Sequence, residues 1–231
     1  MKRYWFFGYL IGYLSIQIHE ALHWLVACIL GFRGAVGGYS YSLYVTGQPW
    51  QYIAIAAAGT FSAVAFAVMG VLLHRSKIMP VKMLGFLLVF VNAAGRILYE
   101  FSGFFIQEST DETAIAYHLG VPDFLLRVPV TLFCFLTLIY VLRDTETGLG
   151  KPVRLAVLFV SLMAAISQVL VLGAWIDELQ ALGFWMFQPV LLGYVPFLAA
   201  VNLFFLVIFC LAVWRESRLP QSEKELRQIQ P

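Results

Sequence analysis

Residues Ile18–Ala27 read I-H-E-A-L-H-W-L-V-A, and they lie inside a longer apolar run that begins near Tyr4 and continues to Gly31. Two imidazoles and a carboxylate are costly to place in hydrocarbon, where ionisable groups need a partner and usually have a task. The run is long enough for a helix that crosses a bilayer, which takes about 20 apolar residues. His19, Glu20 and His23 are therefore expected within a membrane helix.

The rest of the chain supports that solvent. Of its 231 residues 61% are hydrophobic and 12% charged, against about 25% charged in a soluble domain. A globule of this length cannot hide so much apolar surface. The net charge of +2 gives no basis for nucleic-acid binding. Cys28, Cys134 and Cys210 are far apart and each lies in an apolar run; they read as buried small hydrophobes, with neither a disulfide framework nor a CxxC pair.

Six apolar runs approach spanning length: 4–31, 51–73, 83–106, 124–142, 153–175 and 185–214. The fourth is the weakest, with Arg127 and Pro129 near its start. The first is too long for the core of a signal peptide and contains a glutamate, so it is expected to stay uncleaved. Basic residues alternate between the connections. Lys2 and Arg3, then Arg75, Lys77 and Lys82, then Arg143, Lys151 and Arg154, then Arg215, Arg218, Lys224 and Arg227 fall on one side. The other side carries Arg33, then Glu108, Asp111, Glu112 and Asp123 with Arg127, then Asp177 and Glu178. The positive-inside rule then places both termini in the cytoplasm. The expected fold is an all-α polytopic membrane protein of about six helices: one domain over 1–214 and a short polar cytoplasmic tail over 215–231.

Residues four apart on a helix share a face, so His19 and His23 can grip one ion while Glu20 acts on a water without ligating. This is the H-E-x-x-H arrangement, in which zinc polarises water and carbonyl and the glutamate moves the proton. A His-Glu-His group held by hydrogen bonds between helices is the packing alternative, but it would need several buried partners. HxxxH spacing also serves membrane di-iron oxygenases. Those sites take many imidazoles, and this chain has four histidines, with His74 at the opposite membrane face and His118 in a loop.

The motif extends as H-E-x-x-H-x-x-x-A-x-x-x-G through Ala27 and Gly31. In this it resembles the first core helix of the site-2-protease family of intramembrane zinc metalloproteases. The segment G-G-Y-S-Y-S-L-Y-V-T-G alternates large and small residues from Tyr39 to Val45, a strand pattern. The resemblance implies a membrane-associated strand or hairpin there that clamps substrate by strand addition. The stretch A-A-A-G-T-F-S-A, Ala56–Ala63, is similar to the family's small-residue helix, with Gly59 and Ala63 as its step; ordinary transmembrane packing explains it equally. The resemblance covers roughly the first 120 residues.

It departs at the third ligand. The family's L-D-G motif is absent, and its nearest echo is V-N-A-A-G-R-I-L-Y-E, where Asn92, Arg96 and Glu100 share a helix face. Counted at about 1.5 Å per residue from the basic ends of their runs, His19 and Glu100 reach similar depth in the outer half of the membrane. Asp111 and Glu112 follow on the outer side, as do Asp177 and Glu178, whereas Asp144 and Glu146 fall on the wrong side. The run D-E-T-A-I-A-Y-H-L-G-V-P resembles a segment of divergent superfamily members in which an aspartate precedes A-x-x-x-G-x-P, which implies Asp111 as third ligand. Glu100 is the alternative. A helix capped by Ser109 or Thr110 and ending at Gly120 accounts for the same letters, and Arg96 with Glu100 can form an i,i+4 ion pair. The resemblance gives Asn92 a hydrogen bond to substrate backbone. Gln168, Asn202 and the Pro189/Pro196 pair read most simply as packing and kinks of the last helix, and the proline pair equally suits a gate for substrates that enter sideways.

These readings combine into an intramembrane zinc metalloendopeptidase that acts on membrane-associated proteins with one Zn2+ per chain: His19, His23 and Asp111 as ligands, Glu20 as general base. The competing expectation is a non-catalytic protein of the same fold or a metal carrier. Its support is the missing L-D-G; the retained Glu20, which a carrier does not need, opposes it.

Overall fold

The computed structural model describes residues 2–32, 34–36, 41–43, 47–103, 110–143, 151–166, 171–172, 174–190 and 193–218. Arg33, Tyr39, Glu108, Ser109, Asp144, Glu146, Gln168 and the tail beyond Arg218 lie outside them.

The architecture is helical. The helices are α1 (Lys2–Ile29), α2 (Pro49–His74), α3 (Met79–Gly103), α4 (Asp111–Leu119), α5 (Phe124–Arg143), α6 (Lys151–Ile166), α7 (Ala174–Ala181) and α8 (Pro196–Arg218), with a 3-10 turn at Trp185–Phe187. Between α1 and α2, the three-residue strands β1 (Gly34–Val36) and β2 (Tyr41–Leu43) pair antiparallel, Ala35 opposite Ser42.

Among the described residues, four helices have the length and composition to cross a membrane: Pro49–His74, Met79–Ile97, Phe124–Arg143 and Pro196–Arg215. Helix α1 is longer than any of them, but its tyrosines together with Gln17, His19, Glu20 and His23 dilute its apolarity. Its position explains this composition. α1 packs against α2, α3, α6 and α8, and Leu10, Ile11, Tyr13, Leu14, Gln17, His23 and Ala27 are buried. A helix lined by protein can carry polar groups that lipid would penalise. The outer faces of α5 and α8 instead expose Leu132, Leu136, Leu203, Phe204 and Leu211.

Helices α2 and α3 approach closely at Gly70 and Gly85. A Cβ built on Gly85 would stand 2.5 Å from the Gly70 carbonyl oxygen and overlap the His74 backbone. Glycine is what permits that approach. Phe86, Val89 and Phe90 fill the adjoining core with Ile11, Cys134 and Val157.

Three sequence expectations need correction. Gly31, expected to continue the motif within the first core helix, ends α1: its φ is 78°, Phe32 N–H donates to the Ala27 carbonyl (2.8 Å) and Gly31 N–H to that of Cys28 (3.0 Å). This is a Schellman stop, which favours glycine because side chains disfavour that backbone conformation. The last apolar run is not one helix: Pro189 precedes α8, and Pro196 is its first residue, where a missing N–H costs nothing. His118, expected in a loop, lies in the last turn of α4 and stacks on Tyr52, centroids 4.9 Å apart and planes within 6°.

Candidate metal centre

Three side chains from two helices converge. His19 and His23 project from one face of α1, and Asp111 is the first residue of α4. The His19 Nε2 atom lies 3.2 Å from Asp111 Oδ2, His23 Nε2 lies 3.3 Å from Asp111 Oδ1, and the two Nε2 atoms are 3.2 Å apart. Together they form a group able to hold a metal ion, with ligand atoms all within 4.8 Å of one another. Tetrahedral bonds of about 2.0–2.1 Å place ligand atoms about 3.3 Å apart.

The far side of each ring decides what its near side offers. His23 Nδ1 lies 2.7 Å from the Ile55 carbonyl oxygen, which can only accept. His19 Nδ1 lies 3.0 Å from Ser62 Oγ, and that hydroxyl donates its own hydrogen to the Gly59 carbonyl at 2.7 Å. Both Nδ1 atoms therefore carry hydrogen and donate, which leaves both neutral rings with a lone pair at Nε2. Two nitrogen lone pairs and a carboxylate face one point. Their mutual repulsion is relieved by a cation, and outward-facing hydrogen bonds of this kind are what orient imidazoles on metals.

α2 supplies the floor. A Cβ on Gly59 would stand 2.5 Å from His23 Nε2 and overlap Asp111 Oδ2, so only glycine lets the three ligands close. The buried face of α2 runs Ile55, Gly59, Ser62, and its carbonyls and hydroxyl are the acceptors just described. The step in use is Gly59 with Ser62; Ala63 is only partly buried.

α4 arrives in a defined place for local reasons. Thr110 caps it, its hydroxyl accepting from Thr113 N–H at 3.2 Å, and Gly120 closes it with φ 67°. The capped helix and the ligand are thus compatible readings of the same letters. Glu112 is 1% exposed; Thr60 Oγ1 donates to its Oε1 at 2.8 Å and Arg96 Nη2 to its Oε2 at 2.5 Å.

The remaining candidates go elsewhere. Glu100 accepts from Arg127 Nη2 (2.6 Å) and Nε (2.9 Å), and its other oxygen is 2.8 Å from Arg96 Nη2 as the i,i+4 ion pair. Asn92 donates to the Leu88 carbonyl on its own helix at 2.8 Å. Asn202 ties α8 to α1: it accepts from Tyr13 at 2.9 Å and its amide reaches Gln17 (2.9 Å) and Tyr194 (2.8 Å).

Glu20 Oε1 is 3.9 Å from His19 Nε2, beside the ligand set and outside it. The His19 and Asp111 side chains are 28% and 21% exposed against 8% for His23, so the centre opens on the side of His19 and Asp111.

No family model, curated protein or solved structure matches the chain.

Proposed function

We propose that the chain is an intramembrane zinc metalloendopeptidase that hydrolyses peptide bonds of membrane-associated proteins. The observation that carries the reading is the convergence of two Nε2 lone pairs and a carboxylate 3.2–3.3 Å apart, with a second carboxylate, Glu20, just beside them. The donor set of two imidazoles and one carboxylate fits zinc, and a catalytic site of this type keeps a position for water or substrate.

His19, His23 and Asp111 would hold the ion, which when bound supplies Lewis acidity toward water and the scissile carbonyl. Glu20 takes a proton from the attacking water and returns it to the departing amine, the work of a general base that becomes a general acid. Ser62 and the Ile55 carbonyl keep the imidazoles turned inward. The β1–β2 pair follows α1 directly, and an extended substrate can add to such an edge.

In this reading six segments cross the bilayer, α1 and the α6 region joining the four apolar helices. Both termini are cytoplasmic, and water reaches the centre from the extracytoplasmic side. The alternation of basic connections supports that orientation.

Glu20→Gln tests the chemistry. It leaves the ligands in place, so zinc content stays unchanged while cleavage of a membrane-tethered substrate falls by about 10²–10⁴-fold, the typical contribution of positioned proton transfer. Full cleavage by this variant would exclude the mechanism. A protein that only carries metal would show no cleavage to lose.

A further inference from the structure

α4 is nine residues long, and only Glu112 and Ala116 of it are buried. Isolated helices of that length are marginal in water, and a single alanine gives little apolar surface to seat one. Yet Asp111 must meet two imidazoles to within a few tenths of an ångström for all three to share an ion. Half-buried Ile115 and the His118–Tyr52 stack add contact with α2, but neither adjoins Asp111 in sequence.

The buried carboxylate next in sequence does. Glu112 is gripped from α2 by Thr60 and from α3 by Arg96. The single nitrogen Arg96 Nη2 lies against both Glu112 and Glu100. Glu100 is held in turn by Arg127 of α5, and Arg127 Nη1 donates to Asp123 Oδ2 at 3.1 Å. Buried charges fix register because any slip strands one of them without its partner. A turn or a slide of α4 that freed Asp111 would separate Glu112 from Arg96.

We propose that the Thr60–Glu112–Arg96 contact, continued through Glu100 and Arg127, positions Asp111 as a metal ligand, so that Glu112 and Arg96 are positioning residues of the centre. The inference rests on the metal reading above and adds to it a lock, built by three helices, on the ligand that comes from the fourth.

The test is zinc affinity of the full chain in detergent, by titration against a competing chelator, with unfolding temperature measured beside it. Glu112→Gln alone removes one of the two carboxylates that face buried Arg96 and risks the fold. The double variant Arg96→Met/Glu112→Leu removes both charges, and Thr60→Val removes one hydrogen bond only. Both are expected to bind zinc about 10–100-fold more weakly, the usual cost of losing a group that orients a ligand, at an unfolding temperature close to wild type. Added to Asp111→Ala, either change is expected to cost nothing more, because the coupling runs through Asp111.

Wild-type affinity in the double variant and in Thr60→Val would overturn the positioning role and leave the metal centre standing. A further loss in the Asp111→Ala background would also overturn it. Failure of the wild-type chain to bind zinc would overturn the metal reading itself, and this inference with it.

Discussion

At the scale of single residues, the centre depends on atoms that face away from it. His19 and His23 were legible because their spacing alone puts two imidazoles on one helix face. Their orienting partners were not. Ile55 contributes a backbone carbonyl, which has no sequence signature, and Ser62 lies in the small-residue stretch Ala56–Ala63, where Gly59 and Ala63 read as the step and the hydroxyl draws no notice. Ser62→Ala is expected to leave His19 Nδ1 without an acceptor and to weaken zinc binding about 10–100-fold, read by chelator competition. Gly59 is a sharper case. Gly59→Ala places a methyl against His23 and into Asp111, so zinc is expected to be lost, although alanine is the better helix former. Zinc bound at wild-type affinity by Gly59→Ala would show that the three ligands do not close as described.

At the scale of elements, α2 is the helix around which the site is organised. Its Gly59 faces the ligands, and Gly70 on the same face, eleven residues on, meets α3 at Gly85. α4 lies antiparallel along the first turns of α2, with Glu112 at Thr60 and His118 at Tyr52. Gly85→Ala is expected to pry α2 from α3, with a loss of about 1–3 kcal/mol typical of overpacking, seen as a lower unfolding temperature. The existence of α1, α2, α3 and α5 could be read from apolar length. The break before α8 could not, because the residues between Pro189 and Pro196 are as apolar as a helix and only the prolines hint at the stop. Asp111 was reached through the resemblance and not through any pattern of its own, since an aspartate in a capped first turn is ordinary helix chemistry. Glu112, the buried anchor, looked like its equal partner in that first turn.

At the scale of the whole molecule, the two histidines and Glu20 lie on a helix packed against four others, and the outermost helices turn apolar surface outward. α1 carries His19, Glu20 and His23 between α2, α3, α6 and α8, while α5 and α8 turn leucine and phenylalanine outward. The proposed orientation makes a direct prediction. In a chain with Cys28, Cys134 and Cys210 replaced, a cysteine at Lys77 is expected to react with an impermeant thiol reagent only from the cytoplasmic side. One at Tyr117, which is 81% exposed, is expected to react from the opposite side. The reverse pattern would open the centre to the cytoplasm.

His19, His23 and Asp111 are proposed here as a zinc centre served by Glu20. Elemental analysis of detergent-purified protein tests it most directly, with wild type beside His23→Ala, Asp111→Ala and Glu20→Gln. About one zinc per chain is expected in wild type and in Glu20→Gln, none in His23→Ala and a weakened content in Asp111→Ala. A wild-type chain without zinc after the metal is supplied would contradict it.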